Sequence, residues 1–203
     1  MCGMDFKIEG GRKLFGTVDT NTSKNSAVVL LCASLLNKKR TVLKKMPRIE
    51  EVNRILEVLE SIGVSVKWKK GNDLEIIPPK KINLSRLNMQ SAVKTRSILM
   101  FLGPLIHDFK QFKLPHAGGC RLGKRTVLPH FFALEKLGVK ISTSENSYKI
   151  SSDKLRPAEI ILYESGDTVT ANAIMAAAKI PGATTIKFAS ANYQVQDICF
   201  FLL

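Results

Sequence analysis

Apolar residues recur along this chain with two alternating periods, one typical of helices and the other of strands. Helical spacing covers residues 27–36, 49–62, 93–106, 129–137 and 172–180, and it resumes near residue 194. Short strand patterns lie between these segments, at residues 41–43, 64–68, 74–77, 111–114, 139–142, 147–150, 160–162 and 184–188. Residues 5–20 alternate polar and apolar positions around glycines, which predicts two further short strands. The alternation of helices and strands predicts an α/β protein.

The order of these elements repeats along the chain. Gly63 and Gly138 each follow a predicted helix, each precede a valine and a predicted hairpin, and stand 75 residues apart. Self-similarity at a fixed period indicates a repeated supersecondary unit, here read as βαβαββ over about 75 residues. We place the units at about residues 22–80, 81–155 and 156–203. The third lacks its closing hairpin, and an apolar helix that reaches Leu203 would expose its face, so we expect a truncated unit.

Composition limits the function classes. The chain has 203 residues, 45% hydrophobic, and a formal net charge of +14, which predicts a globular protein with an anionic partner. Its lysines are scattered and no aromatic residues interleave with them, which argues against nucleic-acid binding. The longest early apolar run is too short for a membrane span and lacks a secretory leader, so we expect a cytoplasmic protein without a membrane partner. The histidines and cysteines show no metal-ligand spacing, and we expect no metal and no cofactor.

A glycine-rich segment holds the chain's most reactive candidate. Cys120 lies between Gly118-Gly119 and Gly123, and Arg121, Lys124 and Arg125 supply positive charge nearby. Neighbouring cations lower a thiol's pKa, and a low-pKa thiol can act as an acid, a base or a nucleophile. The alternative is an incidental cysteine in a glycine turn. The patterns place two other cysteines, Cys32 and Cys199, inside apolar helices, which predicts that both are small core residues.

Lys24 stands at the predicted start of the first helix. Thr22 and Ser23 offer an N-cap, so Lys24 and Asn25 fall in the first turn. A lysine there opposes the helix dipole, which favours negative charge at this end. A bound phosphate or carboxylate would resolve the conflict, because helix N-termini bind anions. The alternative is a solvated lysine.

Four groups of residues resemble the enolpyruvyl transferases, especially the branch whose acceptor is UDP-N-acetylglucosamine. They are Ser23-Lys24-Asn25, Val93-Lys94-Thr95-Arg96, Leu102-Gly103-Pro104-Leu105 and Gly118-Gly119-Cys120-x-x-Gly123-x-Arg125. The likeness covers nearly the whole chain. It implies an inside-out α/β barrel of two domains, each containing three repeats. Residues 1–21 would then be strands of the second domain, residues 22–203 would form the domain with the catalytic loop, and the second domain would otherwise be absent.

The resemblance also implies a reaction and roles for residues. The enolpyruvyl group of phosphoenolpyruvate would pass to the 3′-hydroxyl of UDP-N-acetylglucosamine with release of phosphate, in peptidoglycan precursor synthesis. Cys120 would be the general acid and the residue alkylated by fosfomycin. The residues implied to bind phosphoenolpyruvate are Lys24, Arg96 and Arg125, and those implied to bind the sugar nucleotide are Asn25, Arg96, Arg125, His130, Asp167, Thr168 and Val169. An aspartate that acts as general base, and a further arginine, would belong to the missing C-terminal domain.

Three departures from the family pattern fall on the nucleotide side of the implied site. Leu128 stands where the family usually has an acidic residue, residues 167–170 read Asp-Thr-Val-Thr where it has Ser-Val-Gly-Ala, and residues 191–194 replace Arg-Glu-Pro-Glu. These changes leave three alternatives open. The chain binds uridine in a different way, it is a related enolpyruvyl transferase with another acceptor, or it is a non-catalytic sugar-nucleotide-binding homologue or fragment. Cys120 and the Lys24-Asn25 pair argue against the 3-phosphoshikimate branch.

Overall fold

The computed structural model describes residues 7–118 and 126–203, where α-helices alternate with short strands. The α-helices are α1 (Lys24–Ala33), α2 (Glu50–Ser61), α3 (Met89–Ala92), α4 (Leu102–Leu105), α5 (Leu128–Lys136), α6 (Asp167–Ala177) and α7 (Tyr193–Leu202). The strands are β1 (Thr41–Leu43), β2 (Ser65–Trp68), β3 (Leu74–Ile77), β4 (Gln111–Pro115), β5 (Lys140–Thr143), β6 (Ser147–Ser151), β7 (Glu159–Ile161) and β8 (Thr185–Lys187). Stretches of 3-10 helix cover Ser34–Leu36, Lys70–Asn72, Leu84–Arg86 and Arg96–Phe101.

The strands form three small sheets within the described ranges. The first has the order β1-β3-β2 and the second the order β4-β6-β5, and all neighbours in both are antiparallel. The third is the parallel pair β7-β8. Gly63 and Gly138 lie just past α2 and α5 with φ of 101° and 93°, so both predicted helix-ending glycines are confirmed. The first two sheets therefore share one strand order and one way of leaving the preceding helix.

Helices α1 and α6 lie at the centre of a continuous hydrophobic core. Each has seven buried residues, which is typical of a helix that is apolar on most sides and is surrounded by other elements. α1 packs against α2 and α7, and α6 packs against α4, α5 and α7. Within the described part of the chain, no helix has both the length and the apolar character needed to cross a membrane.

The two strands predicted before the first helix are wrong for the described part of that segment. Residues 7–20 form no strand, and each of them is exposed. A strand needs a neighbour to accept and donate its backbone hydrogen bonds, and none of the described sheets extends to this segment. Alternation of polar and apolar residues was therefore insufficient to specify a strand here.

The single helix predicted over residues 93–106 is also wrong. The structure has α3, then an extended residue at Thr95 (φ −126°, ψ 138°), then a 3-10 helix that continues into α4. Thr95 Oγ1 accepts a hydrogen bond from the backbone N–H of Ser97 and donates one to Glu51 on α2. Because this cap and this tertiary contact both fix Thr95 in an extended conformation, the helix cannot run through it.

Two further predictions need correction. The helix predicted over residues 172–180 begins earlier, at Asp167, and ends at Ala177. Its first turn, Asp167 to Thr170, contains weak helix formers, so periodicity alone missed it. Cys32 is buried as predicted, whereas Cys199 is exposed on α7, because its side of that helix faces away from the core.

Candidate functional site

A cleft of about 1250 Å³ lies where the first turns of α1, α2, α5 and α6 approach the 3-10 helix Arg96–Phe101. It is lined by all seven of the predicted site residues that the structure describes: Lys24, Asn25, Arg96, His130, Asp167, Thr168 and Val169. Cys120 and Arg125 lie outside the described residues. Gly118 and Thr126, which precede and follow their segment, both line the cleft. The sequence between these two residues therefore starts and ends at the site.

Lys24 remains exposed to solvent, but its charge is balanced in this structure. Its Nζ lies 2.8 Å from Oε2 of Glu51 in the first turn of α2. The other carboxylate oxygen of Glu51 accepts hydrogen bonds from Thr95 and Ser97, which begin the 3-10 helix. Burial alone would raise the pKa of Glu51, but the hydrogen bonds from Lys24, Ser97 and Thr95 outweigh it and lower that pKa. Glu51 thus ties α1 to the segment that carries Arg96.

Arg96 contacts Thr126, the described residue that follows the segment containing Cys120. Its Nη2 donates a hydrogen bond of 2.7 Å to the backbone carbonyl of Thr126. This bond links the first residue of the 3-10 helix to the residue where the described chain resumes. The guanidinium remains part of the cleft wall, where its planar array of donors suits a carboxylate or phosphate. Arg96 can therefore bind an anion and position the chain beside it.

His130 is almost fully buried at the base of the cleft. Its Nδ1 lies 3.2 Å from Nδ2 of Asn172, a buried residue of α6. Burial, assisted by the positive charge of Arg96, lowers the pKa of His130 to about 4. At neutral pH the imidazole is therefore uncharged, and it can contribute a hydrogen bond but no positive charge to a ligand.

The first turn of α6 carries a negative charge into the cleft. Asp167 follows the N-cap Gly166, and its Oδ1 accepts a hydrogen bond from Ser190. An aspartate suits the dipole at a helix N-terminus, as an external anion would. Among the described residues lining the cleft, carboxylates are as numerous as cations: Glu50, Glu51, Glu164 and Asp167 against Lys24, Arg54, Lys94 and Arg96. The cluster of cations expected at the site is therefore largely offset in the described residues.

Sequence reasoning missed two residues that organise the site. The sequence assigns Glu51 only a favourable position near the start of α2, while its contact with Lys24 crosses 27 residues of chain. Asn172 lies in a predicted helix with no neighbouring polar residue that suggests a partner. Both act through tertiary contacts, so neither has a local sequence signal that indicates its partner.

Gly118 lies so close to the backbone of Val93 that no larger residue fits at this position. A Cβ at Gly118 would lie 1.5 Å from the carbonyl oxygen of Val93. Gly118→Ala is therefore expected to displace the chain that leads to Cys120 and to lower the free energy of unfolding by about 1–3 kcal/mol. Chemical denaturation measures the loss. Gly10→Ala is the control, because its Cβ would meet nothing within 4 Å. A Gly118→Ala variant as stable as the control would contradict the close contact.

Sequence comparisons identify the family of the chain. A profile of the family described as EPSP synthase (3-phosphoshikimate 1-carboxyvinyltransferase) matches residues 8–202. The chain belongs to this family. Within the EPSP synthase family, it is similar to proteins named UDP-N-acetylglucosamine 1-carboxyvinyltransferase. The relative from Bradyrhizobium diazoefficiens is 32% identical over 203 residues, and that from Prochlorococcus marinus is 35% identical over 202 residues. The predicted resemblance is thus confirmed.

Solved structures support the same family fold. The enolpyruvyl transferase NikO from Streptomyces tendae matches 95% of this chain and 45% of its own, with a TM-score of 0.81 at 18% identity. EPSP synthase from Acinetobacter baumannii matches 89% of this chain and 42% of its own, with a TM-score of 0.67 at 16% identity. These likenesses confirm the α/β class.

The matches cover nearly all of this chain but less than half of each curated relative. The match to the Bradyrhizobium relative includes 100% of this chain and 47% of that protein, and the Prochlorococcus match includes 98% and 44%. The chain therefore spans about half the length of the curated EPSP synthase family relatives it matches.

Proposed function

We propose that this protein transfers the enolpyruvyl group of phosphoenolpyruvate to the 3′-hydroxyl of UDP-N-acetylglucosamine and releases phosphate, a step of peptidoglycan precursor synthesis. The observation that carries the proposal is the convergence of Lys24, Asn25, Arg96 and His130 in one cleft, at which the segment holding Cys120 starts and ends. The names of the curated relatives support the choice of acceptor.

Phosphoenolpyruvate would occupy the part of the cleft beside Lys24 and Arg96. Its phosphate and carboxylate are anionic, and Arg125 would add a third cation from the neighbouring segment. Cys120 would donate a proton to the methylene carbon, the acceptor hydroxyl would give its proton to a general base, and the acceptor oxygen would bond to the adjacent carbon. The adduct would then release phosphate as its methyl group returns one proton to a base of the site, which restores the double bond. Cations fixed around the developing negative charge would lower the barrier.

The acceptor would lie toward α5 and α6, in contact with Asn25, His130 and the first turn of α6 at Asp167, Thr168 and Val169. Arg96 and Arg125 would contact both substrates. A C-terminal domain would supply an aspartate as general base and a further arginine. We expect phosphoenolpyruvate and UDP-N-acetylglucosamine to be the partners, with no cofactor and no metal.

The proposed architecture is the inside-out α/β barrel with repeated βαβαββ units and an incomplete third unit. The shared order of the sheets β1-β3-β2 and β4-β6-β5 supports this repeat. In the same proposal residues 1–21 belong to the second domain and residues 22–203 to the domain with the catalytic loop.

Replacement of Cys120 tests the proposal in the complete protein. Phosphate release from phosphoenolpyruvate and UDP-N-acetylglucosamine should fall at least about 100-fold in Cys120→Ala, since a positioned general acid contributes that much or more. Cys120→Asp should retain part of the activity, because a carboxylic acid can still donate a proton. Unchanged activity in Cys120→Ala, or no phosphate release by the wild-type protein, would contradict the proposal.

Fosfomycin gives a second readout on the same thiol. Mass spectrometry should find one adduct on the wild-type protein, located at Cys120, and none on Cys120→Asp. Cys199→Ser is the matched control, because Cys199 is an exposed thiol that a reactive epoxide can reach, whereas Cys32 is buried with a raised pKa. Adduct formation on another cysteine would remove the role assigned to Cys120.

A second candidate is an enolpyruvyl transferase with a different acceptor, and Asp167 is the observation that favours it. A carboxylate already occupies the first turn of α6, where a diphosphate would otherwise benefit from the helix dipole. Comparing phosphate release with UDP-N-acetylglucosamine and with acceptors that lack a diphosphate separates the two candidates. Faster turnover of an acceptor without a diphosphate would favour the second.

A further inference from the structure

Asn172 makes three hydrogen bonds that connect separate elements of the cleft wall. Its Oδ1 accepts from the backbone N–H of Gly103 at 2.7 Å, and its Nδ2 donates to the backbone carbonyl of Leu99 at 2.9 Å. The same Nδ2 lies 3.2 Å from Nδ1 of His130. All three contacts are buried. Asn172 therefore joins α6 to α4, to the 3-10 helix and to α5.

The two backbone contacts determine which atom of the amide is which. A backbone N–H can only donate, so the atom facing Gly103 must be the amide oxygen. A backbone carbonyl can only accept, so the atom facing Leu99 must be the amide nitrogen. Oxygen and nitrogen of an asparagine are otherwise hard to distinguish, and here the surroundings settle them.

The third contact then fixes the protonation of His130. An amide nitrogen only donates, so Nδ1 of His130 must accept and cannot carry a hydrogen. A neutral imidazole has one N–H, which must be on Nε2. We infer that Asn172 is a positioning residue that holds His130 as its Nε2–H tautomer and so makes it a hydrogen-bond donor to an acceptor oxygen of the ligand in the cleft.

This inference names a chemical requirement on the ligand and rests on the proposed role of His130 in binding the acceptor substrate. A carbonyl or phosphate oxygen can accept from Nε2–H, whereas a hydroxyl or amide hydrogen directed at it finds no acceptor. Arg96, whose guanidinium also only donates, lines the same cleft. Both side chains therefore select an oxygen acceptor, and only Arg96 adds charge.

Nitrogen-15 NMR of the imidazoles in the full chain tests the tautomer directly. The chain has three histidines, so His107→Gln and His116→Gln are enough to assign the spectrum. At neutral pH, Nδ1 of His130 should show the shift of an unprotonated nitrogen and Nε2 that of a protonated one. His107 is an internal reference, since its Nε2 lies 3.3 Å from the carbonyl of Met175 and must be protonated as well. A protonated Nδ1 on wild-type His130 would overturn the inference, with no variant needed.

Asn172→Asp tests whether the residue controls the tautomer. A carboxylate has nearly the same shape but only accepts, so hydrogen should appear on Nδ1 of His130 while His107 stays unchanged. In the complete protein the KM for UDP-N-acetylglucosamine should rise roughly tenfold, the cost of about one hydrogen bond, with a smaller change in kcat. An unchanged His130 spectrum, or loss of the hydrogen from Nε2 with an unchanged KM, would overturn the positioning role. Absence of turnover in the wild-type protein would instead count against the proposed function, and the wild-type spectrum would still decide the tautomer.

Discussion

Replacing Asn172 with leucine should lower the free energy of unfolding by about 4 kcal/mol, although leucine has nearly the same volume. The substitution leaves the backbone N–H of Gly103 without its side-chain partner, while the carbonyl of Leu99 keeps the hydrogen bond from the backbone N–H of Leu102. Each buried polar group that loses its hydrogen bond costs about 1–3 kcal/mol, and Nδ1 of His130 also loses its donor. Urea denaturation at pH 7 measures the difference.

The matched control is Asn53→Leu, which replaces an asparagine at an exposed position within α2. Its effect should stay within about 0.5 kcal/mol, as for most surface substitutions. A loss below about 1 kcal/mol in Asn172→Leu would show that the three buried contacts contribute little. It would also weaken the case that Asn172 determines how α4, α5 and the 3-10 helix meet.

Acidification should destabilise the protein through His130. Burial, with the charge of Arg96, holds the pKa of His130 near 4 in the folded state, below its ordinary value of 6.5. The unfolded chain therefore binds the proton first as the pH falls. The stabilising effect of keeping His130 neutral is complete above pH 6.5 and is lost as the pH falls through about 4. The full loss is about 3 kcal/mol, at 1.36 kcal/mol for each pH unit.

Comparing wild type with His130→Gln isolates this contribution, because the carboxylates titrate in both proteins. Between pH 7 and pH 5, the free energy of unfolding should fall by about 2 kcal/mol more in wild type than in the variant. His107→Gln is the control, since burial also lowers the pKa of His107, but less. Equal pH dependence in wild type and His130→Gln would show that His130 titrates normally in the folded protein.

Periodicity predicted the fold best where a helix or strand is specified by its own residues. The helix around residues 49–62 and its closing Gly63 were predicted closely, because Val52, Ile55 and Leu59 have helical spacing and glycine adopts a positive φ readily. Prediction failed at Thr95, where a hydrogen bond to Glu51 outweighs the local helical pattern. It also failed over residues 7–20, where alternation alone does not supply a partner strand.

The residues of the candidate site also divide into those with a local sequence signal and those without one. Short groups of residues whose spacing resembles the family predict Lys24, Asn25, Arg96 and His130 as site residues. Their mutual arrangement depends on Glu51 and Asn172, which contact them from distant positions in the chain. Local sequence carries no information on such contacts, and only the folded arrangement of α1, α2, α5 and α6 reveals them.

The ion pair between Lys24 and Glu51 has a consequence for the response of the cleft to salt. A lysine without an ion-pair partner attracts mobile chloride, and a ligand phosphate must displace that ion, so the affinity of the ligand falls as salt rises. Lys24 instead carries a tethered counterion, because Glu51 cannot diffuse away. A ligand anion that replaces Glu51 as the partner of Lys24 therefore releases no mobile ion to the solvent. Binding at Lys24 should therefore depend on ionic strength much less than the net charge of +14 suggests.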